Sequence, residues 1–263
     1  MTAVAERITD LPSTAEMRAV CQPPSTMNRR NGEHWAGVVY GRTVSIHLTK
    51  VFLRTGWSAD AVTWLMIVVG TAAGLFLLIP GVWGAVGTVL AVQLYLVLDC
   101  CDGEVARWRR QTSAAGVFLD RVGHYLCEAC ICVALGFRAA DLTATGYAVL
   151  GCLAALAVVI VKAETDLVLA ARYSAGLTER TTDDDLAPVS PLLGKARAAA
   201  QLLKVHRITG AVEASLLVLV AAIIDAARGD LTASRVLVVA FLAVAGAQVV
   251  LHLVAILASR RLR

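Results

Sequence analysis

Six long apolar stretches, at about 58–80, 83–107, 115–138, 144–172, 209–227 and 234–257, constrain this chain more than any other feature. Each approaches the roughly 20 residues that a helix needs to cross a bilayer. Soluble core helices rarely stay apolar for that long. With 58% hydrophobic and only 17% charged residues among 263, the chain is also too apolar for an ordinary soluble domain. The expected fold is all-α: an integral, multi-pass membrane protein with six transmembrane helices. No such stretch occurs in residues 1–56, so neither a signal peptide nor an early anchor is expected there.

Charge sets the orientation. Six spans put both termini on one side. That side then carries nineteen Lys and Arg residues, including Arg107, Arg109, Arg110 and the tail arginines Arg260, Arg261 and Arg263. The other side has only Arg138, Arg228 and Arg235. The positive-inside rule predicts cytoplasmic termini. Seven cysteines lie mostly inside apolar stretches, where a thiol acts as a small hydrophobe, and the Cys127-x2-Cys130 pair reads as packing.

Three regions follow. Residues 1–39 are polar, with Pro23, Pro24 and Asn31-Gly32, and read as a loosely ordered cytoplasmic N-terminus without chemistry of its own. In residues 40–56, Val44, Leu48, Val51 and Phe52 recur at helical spacing beside Arg42, Lys50 and Arg54, which suits an amphipathic interfacial helix. Residues 57–263 form the six-span domain. Its segment 174–208 splits the spans four and two, with Asp183-Asp184-Asp185 followed by Lys195, Arg197, Lys204, His206 and Arg207. These bases suit topology signalling, or the gathering of anionic lipid headgroups.

Acids inside a span demand a reason. On the end of the second stretch, Asp99, Asp102, Gly103 and Ala106 fall at i, i+3, i+4 and i+7, one face of a helix. On the third, Gly116, Asp120 and His124 fall at successive i+4 steps. A short turn joins the two, so the helices are antiparallel neighbours and three carboxylates converge with an imidazole. Three anions at close quarters in an apolar setting call for a cation, and hard oxygen donors suit Mg2+ or Mn2+. Gly103 and Ala106 leave space on the same face, and Arg107 offers a forked donor to phosphate. Metal, space and a cation beside anions describe phosphoryl transfer.

The run Asp99-x2-Asp102-Gly103-x2-Ala106-Arg107-x8-Gly116-x3-Asp120-x3-His124 resembles the signature of the CDP-alcohol phosphotransferases, D-x2-D-G-x2-A-R-x8-G-x3-D-x3-D. Seven of its eight fixed positions match at the required spacing. The resemblance extends to six spans and a preceding interfacial helix. It implies metal ligation by Asp99, Asp102 and Asp120, contact with the CDP moiety around Gly103, Ala106 and Arg107, and close helix packing at Gly116. It also implies Mg2+ or Mn2+ as cofactor, a CDP-alcohol donor, a hydroxyl acceptor (polyol, polyol phosphate or lipid) and a cytoplasmic active site. Membrane lipid is a partner, a homodimer is compatible with it, and nucleic acid is not expected.

The last position departs. The family has an aspartate there, proposed as the base for the acceptor hydroxyl, and this chain has His124. Imidazole serves as a general base or as a ligand, so catalysis survives with altered metal preference. Alternatively one metal site is weakened, or the protein only binds nucleotide. Glu128, one turn beyond His124, is placed to orient the ring, with Lys162 to neutralise it. The start of the first span, Ser58-Ala59-Asp60-Ala61-Val62-Thr63, is similar to a family T-P-N-x-x-T only at Thr63; Asp60 and Thr63 are candidates for nucleotide contact, or simply begin a helix.

The expected activity is transfer of a phospho-alcohol group from a CDP-alcohol, either CDP-diacylglycerol or a soluble CDP-polyol, to an acceptor hydroxyl with release of CMP. The alternatives are a non-catalytic nucleotide-binding or lipid-binding protein, and an ion-coupled transporter whose acids hold the ion being moved.

Overall fold

The computed structural model describes residues 13–24, 34–177, 207–259 and 262. Their regular structure is entirely helical. Helix α1 is Thr14–Cys21, and a π-helical turn at Gly37–Gly41 leads into α2, Arg42–Arg54. The long helices follow as α3 (Ala59–Leu77), α4 (Val82–Arg109), α5 (Ala114–Ala139), α6 (Gly146–Ser174), α7 (Ala211–Arg228) and α8 (Thr232–Leu257). Five of them, α3, α4, α5, α6 and α8, are long and apolar enough to cross a membrane. Large apolar side chains such as Val68, Leu90, Leu153, Val236 and Leu251 are exposed along them. Helix α7 lies in the fifth apolar stretch but carries Glu213, Asp225 and Arg228 within its 18 residues.

The N-terminal region is not uniformly irregular. Ser13 and Glu16 form a capping box: the Glu16 amide donates to Ser13 Oγ at 3.3 Å, and the Glu16 carboxylate accepts from the Ser13 amide at 2.8 Å. This satisfies the first orphan donors of α1, whose Met17 and Cys21 are fully buried. The rest of the expected loose segment, residues 1–12 and 25–33, lies outside the described residues, as do the acidic triplet, the bases Lys195, Arg197, Lys204 and His206, and the tail arginines.

The chain divides into two compact units, Met1–Ala73 with Thr88–Cys127, and Gly74–Gly87 with Glu128–Arg263. In the first, small residues let α3, α4 and α5 approach. A Cβ on Gly70 would lie 2.6 Å from the Tyr95 ring and 3.0 Å from Cys127 Cβ, and one on Gly123 would meet Met66 Cε at 2.5 Å. Thr88 Oγ1 donates to the Ala73 carbonyl at 2.9 Å, tying α4 to α3. Helix α2 turns Ser45, Ile46, Thr49, Phe52 and Leu53 inward. Of the expected apolar face, Phe52 is buried while Val44 and Val51 are exposed, because the inward face is drawn round by two hydroxyls seeking a buried acid.

In the second unit, α5 and α6 meet at glycine: a Cβ on Gly136 would fall 2.7 Å from Gly151 Cα. Helix α8 runs along α6 and against α7. Asp225, an acid inside an apolar stretch, is buried because it caps α8, accepting from the Ala233 amide at 2.7 Å and Ser234 Oγ at 2.6 Å. Gly229, at φ 70°, takes the left-handed position that closes α7. Arg138, Arg228 and Arg235, the three bases expected on the charge-poor side, bind the Ile79 carbonyl, Asp230 and the Ala139 carbonyl. All seven cysteines are free thiols.

Candidate metal centre

The site begins where α4 ends. Arg110, at φ 55°, and the residues after it turn the chain, and Ser113 Oγ accepts the Gly116 amide at 2.9 Å to start α5. This tight reversal sets Asp99 on α4 against Asp120 and His124 on α5. His124 Nε2 lies 3.2 Å from Asp99 Oδ1 and 3.5 Å from Asp120 Oδ1. One ligand atom from each of the three residues falls within 4.8 Å of the others. The cluster is half-buried, so a small solute can reach it.

Asp102 stands beside this group and not in it. Its Oδ2 accepts from Thr63 Oγ1 at 2.9 Å, and its Oδ1 accepts the Gly103 amide at 2.5 Å. Thr63 is buried, and its hydroxyl also reaches the Ala59 carbonyl at 3.1 Å, so the start of α3 is fastened to the acid on α4. Asp60 reaches the same neighbourhood: a Cβ on Gly116 would sit 3.4 Å from Asp60 Oδ1, so α5 approaches the start of α3 closely there. The Arg107 guanidinium lies over Gly103, where a Cβ would come within 3.1 Å of Nη1. Ala106 is half-buried, and its carbonyl accepts the Gln111 amide at 2.9 Å as the turn begins.

Three participants were not among the sequence candidates. Tyr95, one turn before Asp99 and buried, places its hydroxyl 2.6 Å from His124 Nδ1, with the rings edge to face at 5.7 Å. Glu104, fully buried, receives Ser45 Oγ and Thr49 Oγ1 at 2.7 Å each, Gln22 Nε2 at 2.9 Å and Arg42 Nη1 at 3.4 Å. Cys21 offers its carbonyl to Arg107 Nε at 2.5 Å. Burial, then the charge of Glu104, pushes the Cys21 thiol up to about 12, so this residue acts through its backbone and not as a nucleophile. Glu128, expected to orient His124 and to be neutralised by Lys162, pairs with Lys162 at 3.1 Å. The partner of the ring is Tyr95.

Two carboxylates and an imidazole nitrogen form a suitable donor set for a divalent cation. Like charges brought together among apolar helices require a positive partner, which a metal ion or a protonated His124 provides. No protein-family model matches the chain, and no curated protein matches it.

Proposed function

We propose that the protein is a metal-dependent phosphotransferase of the CDP-alcohol type, which moves a phospho-alcohol group from a CDP-alcohol to an acceptor hydroxyl and releases CMP. The observation that carries this reading is the gathering of Asp99, Asp120 and His124 within 4.8 Å, at motif spacing, beside Asp102 and Arg107. Mg2+ or Mn2+, when bound by Asp99, Asp120 and His124 with Asp102 alongside, supplies the positive charge that offsets the diphosphate.

The chain's own residues do the rest. Arg107, steadied at Nε by the Cys21 carbonyl, keeps its two terminal nitrogens for phosphate oxygens, and Gly103 and Ala106 leave the space a nucleotide needs. Asp60 and Thr63 border that space from α3. The acceptor oxygen bonds to the distal phosphorus while the phosphorus–oxygen bond to CMP breaks, and the acceptor proton passes to Asp120, or to His124 when its Nε2 is not holding the ion. In this reading α7 also crosses the membrane, as the fifth of six spans, and α2 lies in the interface with Val44 and Val51 towards lipid. Both termini and the site face the cytoplasm, in keeping with the excess of Lys and Arg there.

One observation favours a second reading. His124 sits between the two carboxylates, where an imidazolium would offset their repulsion without any metal. A protein using it so would bind CDP-alcohol and turn nothing over.

Purified protein in lipid, given CDP-alcohol donors, acceptors and Mg2+ or Mn2+, separates the two. Metal-dependent CMP release supports the transferase. Silence across the donor panel with release appearing only in His124→Asp supports the binding protein, and cation flux into vesicles without CMP release makes it a transporter.

A further inference from the structure

The last position of the motif holds an imidazole, and an imidazole has two nitrogens of which only one can face the carboxylates. The group on the other nitrogen decides which. Here Nε2 faces Asp99 and Asp120, at 3.2 and 3.5 Å, and Nδ1 is held by the Tyr95 hydroxyl at 2.6 Å. A hydroxyl both donates and accepts. It therefore accepts the Nδ1 proton when the Nε2 lone pair binds an ion, and donates to Nδ1 when Nε2 carries the proton towards a carboxylate.

Tyr95 is itself fixed. It is 3% exposed, its ring meets the edge of His124 at an interplanar angle of 84°, and its seat exists because Gly70 has no side chain. Three helices thus aim one nitrogen: α3 makes the space, α4 supplies the tyrosine and α5 carries the histidine.

We propose that Tyr95 is a positioning residue that presents His124 Nε2 to the bound ion, and that the resulting nitrogen-and-oxygen site selects a divalent transition-metal ion over Mg2+. Mg2+ demands oxygen donors and sheds water reluctantly, whereas imidazole binds transition ions well. The inference deepens the phosphotransferase reading and rests on it for the purpose of the metal, but its test is separate, because metal binding is read without turnover.

The full-length protein in lipid nanodiscs is titrated with Mn2+ and followed by electron paramagnetic resonance, with Mg2+ as competitor. The expected result is a nitrogen-14 modulation on the bound Mn2+, lost in His124→Asp together with a fall in the ratio of Mn2+ to Mg2+ affinity. Tyr95→Phe keeps the helical circular dichroism but weakens Mn2+ by about 10- to 100-fold, the usual effect of removing an outer-sphere partner, and alters the nitrogen coupling. Mn2+ bound by wild type with no nitrogen coupling overturns the proposal, as does Tyr95→Phe with unchanged affinity and coupling. Should Tyr95→Phe not fold, wild type against His124→Asp decides, and an unchanged Mn2+ to Mg2+ ratio overturns it. Intact nitrogen coupling without CMP release counts against the transferase reading alone.

Discussion

Asp99 and Glu104 lie five residues apart on one apolar helix, and their surroundings are opposite. Glu104 is sealed from solvent and surrounded by donors: two hydroxyls, an amide and a guanidinium, from α2 and from the residue after α1. Asp99 is open enough for a solute to reach, and it faces a second carboxylate across an imidazole. The acid whose partners are all protein groups holds the fold, pinning α2 and the N-terminal segment to α4. The acid left beside a like charge is poised for something from outside. Because a buried charge is tolerated only when paired, the supply of partners is what tells a structural carboxylate from a functional one.

That contrast is easiest to break at Asp120. Asp120→Asn removes one ligand and one of two repelling charges, so CMP release should fall by more than the roughly 100-fold typical of outer-sphere changes. The unfolding temperature of the metal-free protein should stay level or rise. A fall in stability matching the fall in activity would place Asp120 with the structural acids.

Glu104→Ala should do the reverse. It removes one acceptor from each of Arg42, Ser45, Thr49 and Gln22, a loss of about 3 kcal/mol of stability by analogy with broken buried pairs. Denaturant or thermal unfolding in detergent reads this, and the fraction that remains folded should still bind Mn2+. Next in size, Mn2+ at about 100 times its dissociation constant should stabilise wild type by about 2.7 kcal/mol. The same addition should leave Asp120→Asn unmoved.

Thr49→Val leaves one Glu104 oxygen without its 2.7 Å donor, and about 1–3 kcal/mol should be lost. Gln22→Ala should give the smallest effect, about 1 kcal/mol, since its amide is only part-buried and three other donors remain on Glu104. If Gln22→Ala instead lowers CMP release without loss of stability, the N-terminal segment belongs to the site through Arg107 as well as to the fold.

The helices were legible because lipid leaves a spanning backbone few ways to satisfy its hydrogen bonds. The stretches 83–107 and 115–138 became Val82–Arg109 and Ala114–Ala139, and the acids among them were conspicuous for being there at all. The Ser13-x2-Glu16 capping box was equally present in the sequence but was hidden by the prolines and polar residues around it. The Glu104 network was not legible: its donors lie 55 to 82 residues away, and serine, threonine and glutamine say nothing of their partners in advance. Tyr95 looked like one more bulky residue in an apolar run. Its position one turn before Asp99 was the available signal, but its role depends on Gly70 and His124 meeting it from two other helices.

In the proposed reading, Asp99, Asp120 and His124 hold a metal used to transfer a phospho-alcohol group. The most direct test of that reading is CMP release from a CDP-alcohol by the protein in liposomes with Mn2+, comparing wild type, Asp120→Asn and Glu104→Gln in one assay. The predicted result is release by wild type that chelation abolishes, none by Asp120→Asn, and release by Glu104→Gln in proportion to its folded fraction. Release that ignores chelation, or that survives in Asp120→Asn, would contradict it.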